Sequence, residues 1–243
     1  MASQATRREL SLIDELVAHF VQHRPLVNTF LGQVLVPLNE SPELRRIIHS
    51  IRSRAKDPDH LRDKLLRKLQ KCKSEKTPFS LTKNNLFTRV TDLVGVRILH
   101  LHTRQVEAID RVLKEIFREH KFEVLEGPFA RTWDDESREY FQGIGIEVQK
   151  SDTMYTSVHY VLSSNSVTTQ TCEVQVRTLM EEVWGEVDHQ VNYPHPNEHV
   201  ACREQIRALA RATSSATRLV DSIFATVEDL DAREKSPARK KGG

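Results

Sequence analysis

The stretch Cys172–Tyr193, CEVQVRTLMEEVWGEVDHQVNY, decides the reading of this chain. It reads as a short strand that runs straight into a helix. Successive strand side chains alternate sides, so Glu173, Gln175 and Arg177 share one face while Val174 and Val176 point the other way, into a core. A carboxylate, an amide and a guanidinium lined up on one strand face do nothing for folding. They suit a charged, hydrogen-bonding ligand. The helix is expected to bury Met180, Val183, Trp184 and Val187 as an apolar stripe, with His189 and Tyr193 near its end.

Outward from this stretch, Thr156–Leu162 (TSVHYVL) predicts another strand, joined to the first by a turn at 165–169. Leu93–Leu101 (LVGVRILHL) is β-rich, residues 104–120 carry helical periodicity, and Phe122–Leu125 predicts a short strand. Residues 126–153 are polar and read as a long loop with local helix at about 134–141. Near the start, residues 7–23 predict a helix that Pro25 interrupts, and a second helical segment runs to about Val36, where Pro37 and Pro42 break it. Ser41 is placed to cap a helix over 43–53, and Asp57-Pro58 to open the next one. That helix buries Leu61, Leu65, Leu66 and Leu69 and exposes Arg62, Lys64, Arg67, Lys68 and Lys71. Further helices are expected over 177–190 and 199–228. The order is helices, then β-α-β and two more strands, then helices. It predicts an α+β class: a mixed four- or five-stranded sheet with packed helices and helical N- and C-terminal arms. The expected divisions are an N-terminal arm over 1–42, a central domain over 43–196, a C-terminal helix over 197–230 and a disordered tail over 231–243.

Composition bounds the function. The chain has 243 residues, 38% apolar and 29% charged, with a net charge of +2. So balanced a charge argues against nucleic acid as a partner. The N-terminal MASQATRREL lacks the apolar core of a signal segment, and no apolar run approaches the roughly 20 residues that span a bilayer. Cys72, Cys172 and Cys202 fit no metal-ligand spacing and would leave an odd thiol under any pairing, so a reduced, cytoplasmic setting is expected.

Two acids stand out. Asp92, in VTDLVGVRI, sits at the mouth of a strand, where ligands often bind. Alone, such an Asp is more often a turn or capping residue. Gly95 inside the same strand marks a close approach of another group, and Arg97 follows it. Glu173 is the second acid. Two carboxylates on neighbouring strand ends would suit Mg²⁺, which takes oxygen ligands and keeps several waters, bridges phosphate oxygens, and leaves an acid free to take a proton from a hydroxyl. Arg54, Lys56, Lys64, Arg67, Lys68 and Lys71 fall within eighteen positions and would neutralise a polyphosphate. Arg54 and Lys56 precede the Asp-Pro break and can wrap a ligand, whereas Lys68 and Lys71 read as a solvated helix face. Tyr155, Ser157 and His159 share one face under strict alternation, and Tyr155 could stack on a base. No P-loop and no kinase glycine-rich loop is present.

Taken together, these segments resemble the synthetase domain of the RelA/SpoT family, and in particular its small, single-domain alarmone synthetases. The matched pieces are Arg54-Ala-Lys56 with the basic helix, Asp92-Leu-Val-Gly95-Val-Arg97-Ile, Tyr155-Thr-Ser-Val-His159-Tyr, Glu173-Val-Gln175-Val-Arg177-Thr, and Trp184…Asp188-His189…Asn192-Tyr193. They cover about residues 43–193, in the family's order. The resemblance implies a nucleotidyltransferase-like fold and a Mg²⁺-dependent pyrophosphokinase. It would carry pyrophosphate from ATP to the 3′-hydroxyl of GDP or GTP, in the reaction that makes ppGpp or pppGpp for the stringent response. It implies that Asp92 binds Mg²⁺ and that Glu173 assists the metal or activates the hydroxyl. Arg54, Lys56, Lys64 and Arg67 would hold ATP, Tyr155 would stack on guanine, and His159, Gln175 and Arg177 would line the acceptor side. It also implies a homo-oligomer, commonly a tetramer, and no hydrolase activity in this length. Two positions depart from the family: Met154 stands where a Gly is common before the stacking Tyr, and His60 where the basic segment has Ser. The alternatives are a same-fold transferase acting on adenine nucleotides or tRNA 3′ ends, and a non-catalytic nucleotide-binding module.

Overall fold

The stretch 172–193 forms the strand Thr171–Thr178 and the helix Leu179–Asn192, as its alternation requires. A computed structural model describes residues 5–151, 153–193 and 196–235. Its elements are α1 (Arg7–Glu40), α2 (Pro42–Ile47), β1 (Ser50–Ala55), α3 (Pro58–Ser74), α4 (Leu86–Arg89), β2 (Val94–His100), α5 (Gln105–Glu119) and β3 (Glu123–Thr132). They continue with α6 (Asp135–Gly143), β4 (Glu147–Lys150), β5 (Ser157–Ser163), β6 (Thr171–Thr178), α7 (Leu179–Asn192) and α8 (Val200–Lys235). The class is α+β, and the sheet is mixed, with six strands in the order β1-β2-β6-β5-β3-β4. β2 runs parallel to β6 and β3 to β4, while the other neighbours are antiparallel.

The sheet has two chemically different faces. Val96, Ile98, Val174, Val176, Val158 and Tyr160 turn into the main core, against Leu16 and Phe20 of α1, Leu61 and Leu65 of α3 and Ile109 and Leu113 of α5. Burying such side chains contributes about 1.5–3 kcal/mol each before entropy is counted. The other face carries arginines, acids, Gln175 and His159, and lies under α7 and part of α8.

Six strands replace the expected four or five because β1, β4 and most of β3 carry no strand signal in the sequence. β1 falls inside the helix expected over 43–53, which instead ends at Ile47. Ser41 does cap it, accepting from the Leu44 N–H at 3.1 Å. β3 does not stop at Leu125 but runs through Gly127-Pro128 to Thr132, with one register shift between Val124 and Glu126 and another across the pair, between Glu126 and Phe129. Gly127 has φ +93°, and a Cβ there would overlap the His159 carbonyl oxygen, so only glycine fits. The stretch expected to be a long loop therefore holds the end of β3, α6 and β4. Its local helix is found, at 135–143.

Pro25 does not interrupt the first helix. α1 is continuous, with Pro25 and Pro37 inside it. An internal proline costs about 3 kcal/mol or more. Phe20, Val27, Phe30 and Val34 are buried along one face on both sides of Pro25, and that burial outweighs the lost bond. Asp57 opens α3 as expected, its Oδ1 accepting from the Asp59 N–H at 2.9 Å. Leu61, Leu65 and Leu69 of α3 are buried, with Leu66 packed partly against the core. α8 extends past the expected end at 228 to Lys235. The remainder of the expected tail, 236–243, lies outside the described residues. Among the described residues no helix is long and apolar enough to cross a membrane.

Candidate active site

Strand register brings the separated motifs together. Across β1, β2 and β6, Arg52 pairs with Arg97 and Arg97 with Gln175; one step along, Arg54 pairs with Gly95 and Gly95 with Glu173. Gln175 in turn faces His159 on β5, and His159 faces Phe129 on β3. One polar row, Arg52-Arg97-Gln175-His159, thus crosses the sheet, and the neighbouring row Arg54-Gly95-Glu173 has a gap at Gly95. Nothing lies within 4 Å of where a Gly95 side chain would begin. A cavity of about 150 Å³ sits there, between Arg54, Arg97, Asp92 and Glu173. A second, of about 570 Å³, shares Asp92, Arg97, Glu173 and Gln175 and reaches Tyr155 and Tyr193. Asp92 and Glu173, 81 positions apart by their numbers (173 − 92), are walls of both cavities.

Asp92 is gripped from two elements. Lys56 Nζ, past the end of β1, bonds Oδ2 at 2.8 Å, and Lys64 Nζ, on α3, lies 2.6 Å from Oδ1. Burial works to raise the Asp92 pKa, but the two ammoniums outweigh it and bring it down to about 2. Burial dominates on the lysine side and lowers Lys56, with Asp92 offsetting only part. Both shifts are downward: Asp92 faces two ammoniums, whereas Lys56 has one carboxylate and the repulsion of Lys64 and Arg54.

Glu173 anchors a chain of bonds. His159 Nδ1 lies 3.1 Å from its Oε1, and Gln175 Nε2 donates to its Oε2 at 3.0 Å. Tyr155 Oη donates to Gln175 Oε1 at 3.1 Å, and His159 Nε2 sits 2.5 Å from Ser157 Oγ. Burial raises Glu173, the bond and charge of His159 together with Lys64 lower it, and the net direction is down. His159 is stacked on Phe129, with centroids 5.4 Å apart. Its orientation is therefore fixed by Glu173, Ser157 and Phe129 together.

Of the other candidate residues, Arg54 borders the cavity over Gly95 and one of about 240 Å³ toward His60 and Tyr193. Arg67 places its guanidinium 5.2 Å from the Tyr193 ring centre, and His189 stacks on Tyr193 at 4.5 Å. Lys68 bonds the Arg89 carbonyl oxygen at 3.5 Å and Lys71 pairs with Glu75, both away from the cleft. Arg177 is buried. Its guanidinium pairs with Glu182 and lies 5.6 Å from the Tyr155 ring centre, bracing the ring from behind.

The apolar stripe expected on α7 is replaced by acids. Glu181, Glu182 and Trp184 are buried, while Val183 and Val187 are 53% and 38% exposed. α7 lies over the polar face of the sheet, so its inward residues must answer arginines. Glu182 meets Arg177, Arg97 at 3.2 Å and Arg52 at 3.5 Å; Glu186 takes Arg97 at 2.5 Å. Trp184 donates to the Ile206 carbonyl oxygen at 3.1 Å and packs near Met154 and Tyr155, which ties α8 to the cleft. Sequence reasoning missed Arg52, Glu182 and Glu186. The only signal was Arg52-x-Arg54, an alternation inside a segment read as helix.

Among the described residues no three His, Cys, Asp or Glu side chains converge as a metal cage. Two ionised carboxylates on one cleft wall still fit Mg²⁺ that arrives with phosphate, since that ion binds through one or two carboxylates plus substrate oxygens. The donor set suits such an ion.

Comparison with known proteins adds the following. The sequence pattern described as the region found in RelA / SpoT proteins matches residues 53–198. No curated protein matches the sequence. The fold is similar to the small alarmone synthetase 1 from Bacillus subtilis, at 19% identity and a TM-score of 0.56, covering 89% of this chain and 99% of that one. That synthetase bound to AMPCPP gives 17% identity and a TM-score of 0.54 over 86% and 97% of the two chains. Bound to its product pppGpp, it gives 19% and 0.52 over 90% and 97%.

Proposed function

We propose a function from one premise: this chain belongs to the RelA/SpoT family. The reaction is transfer of the β,γ-pyrophosphate of ATP to the 3′-hydroxyl of GDP or GTP, giving AMP and ppGpp or pppGpp. The observation that carries it is the shared wall. Asp92 and Glu173 stand between a cavity flanked by guanidiniums and a wider one that reaches an aromatic ring. That structural relatives bind AMPCPP and pppGpp supports nucleotide substrates for this fold.

The oxygen of the acceptor's 3′-hydroxyl attacks the β-phosphorus of ATP, the bond from that phosphorus to the oxygen bridging it to the α-phosphate breaks, and AMP leaves with that oxygen. Little covalent work falls to the protein; alignment and neutralisation dominate. Arg54 and Arg97 flank the space over Gly95, which admits the adenine because no side chain fills it. Lys56, Lys64 and Arg67 take the phosphate charge. Glu173, kept ionised by His159 and Lys64, accepts the hydroxyl proton. Tyr155 offers its ring to guanine, a contact worth about 1–3 kcal/mol, while Gln175 and Arg177 hold that ring in place. Asp92 and Glu173 would hold Mg²⁺, which neutralises charge developing on the phosphoryl oxygens.

The test is labelled ATP with Mg²⁺ and a panel of acceptors: GDP, GTP, adenine nucleotides and tRNA. Label on the 3′ position of GDP or GTP is expected. Label confined to tRNA or to an adenine nucleotide would replace this reading with the transferase of other acceptors. Saturable binding without transfer would leave a nucleotide-binding module.

A further inference from the structure

A cavity of about 430 Å³ lies beneath α8, apart from the cleft over Gly95. Its floor includes Val106, Phe141 and Val176, and Glu181 stands in its wall. α8 is tied across it by polar straps. Ser214 Oγ donates to Asp134 Oδ2 at 2.8 Å, Arg218 reaches the same oxygen at 3.2 Å, and Asp221 Oδ1 accepts the Thr103 N–H at 2.6 Å.

The charges around it are unevenly committed. Arg218 pairs with Asp134 and Glu136, Arg104 with Glu228, and Arg177 with Glu182. The groups left over accept hydrogen bonds. His100 Nδ1 lies 3.0 Å from the His102 carbonyl oxygen, so Nδ1 carries the proton and Nε2 the lone pair. His100 Nε2 is buried without a partner, as is Thr217 Oγ1. Burial brings His100 down to about 4, so the ring is neutral. Glu181 accepts the Thr156 N–H through Oε2 at 3.1 Å and has a second oxygen to offer. An unmet buried acceptor costs about 1–3 kcal/mol, which a ligand donor would recover. A phosphate would face Glu181, Asp134 and Asp221 with every wall guanidinium already paired.

We propose that this cavity is a second ligand site, for a small arylalkylamine whose ring lies on Val106, Phe141 and Val176 and whose N–H donors meet His100 and Glu181. Its volume is that of an ordinary small-molecule pocket. Occupancy reaches the cleft through one bond. Glu181 holds the backbone of Thr156, next to Tyr155, so on the pyrophosphokinase reading it alters the acceptor's KM and not that of ATP.

The experiment is calorimetric titration of the full chain with tryptamine, tyramine and benzylamine, and with indole-3-acetate as the anionic control. Saturable one-to-one binding of at least one amine is expected, at least tenfold tighter than the anion, unchanged by saturating AMPCPP and retained, with a shifted affinity, at saturating GDP. Ala225→Trp, which fills the cavity, should weaken it at least tenfold, with Ser222→Trp standing in if that variant melts early. Glu181→Gln should weaken it too. The proposal is overturned by absence of saturable binding for all three amines, by equal binding of indole-3-acetate, or by competition with AMPCPP or GDP. Water alone filling the cavity would show as the first of these. A chain that binds the amine but transfers no pyrophosphate would overturn the reading of the cleft and leave this one standing.

Discussion

At the scale of single residues, Gly95 separates site from scaffold most cleanly. Its backbone is extended, and a larger side chain would enter open space, so Gly95→Val should fold normally. The added methyl groups would occupy the cavity between Arg54 and Arg97. The expected outcome is an unchanged Tm, with the KM for ATP raised at least tenfold and the acceptor's KM nearly constant. A parallel rise in both would place the adenine elsewhere. Gly127 is the opposite case. Gly127→Ala should destabilise the chain by at least about 2 kcal/mol, through both the left-handed backbone and the overlap with His159. Urea unfolding reads that directly. For the acids, Asp92→Asn and Glu173→Gln should each lower transfer at least a thousandfold, about 4 kcal/mol of transition-state stabilisation. Either variant retaining full kcat would remove its residue from the chemistry.

At the scale of elements, α7 behaves as a lid of acids. Glu182 compensates the buried Arg177 and touches Arg97 and Arg52. Removing one partner of a buried pair leaves the other charge uncompensated, at about 3–5 kcal/mol. Glu182→Ala should therefore cost about that much in urea unfolding, whereas Val183→Ser, on the exposed side, should stay within about 0.5 kcal/mol. The reverse ranking would restore the apolar stripe. The same helix shows why the sequence was legible only in part. Period-2 alternation on a half-buried strand is a strong signal, and it placed Glu173, Gln175 and Arg177 correctly. Acids in the first turn of a helix look ordinary, because they suit the helix dipole, so Glu181 and Glu182 read as solvent-facing. β1 is an edge strand whose middle residues are exposed, so it has no apolar alternation to read. Gly127-Pro128 reads as a breaker, and β3 passes through it because Gly127 takes a positive φ and lies close against the β5 backbone. Pro25 likewise reads as a stop, which burial on both flanks overrides. Pairings between distant segments, such as Lys64 with Asp92, leave no trace in local pattern at all.

At the scale of the whole molecule, two opposed titrations meet around the cavity under α8. Burial pushes Glu181 up from its ordinary 4.5 to about 7, with the Thr156 bond offsetting part. Burial pushes His100 down from 6.5 to about 4. For Glu181 the unfolded chain loses its proton first, so this residue's contribution to stability falls as pH rises from about 4.5 to about 7. For His100 the unfolded chain gains a proton first as pH falls, so its contribution rises with pH between about 4 and 6.5. Each shift corresponds to about 3 kcal/mol, and over the shared range they nearly cancel. The wild-type stability should therefore change little on account of this pair between about pH 4.5 and 6.5. Glu181→Gln removes one side of the balance. Relative to wild type, the variant should gain stability steadily with pH, by up to about 3 kcal/mol on passing from about 4.5 to about 7. Urea unfolding of both proteins across that range measures the difference. A constant difference would show that Glu181 titrates as an ordinary exposed acid. The carboxylate would then be open to water, and the wall that the second ligand site requires would be missing.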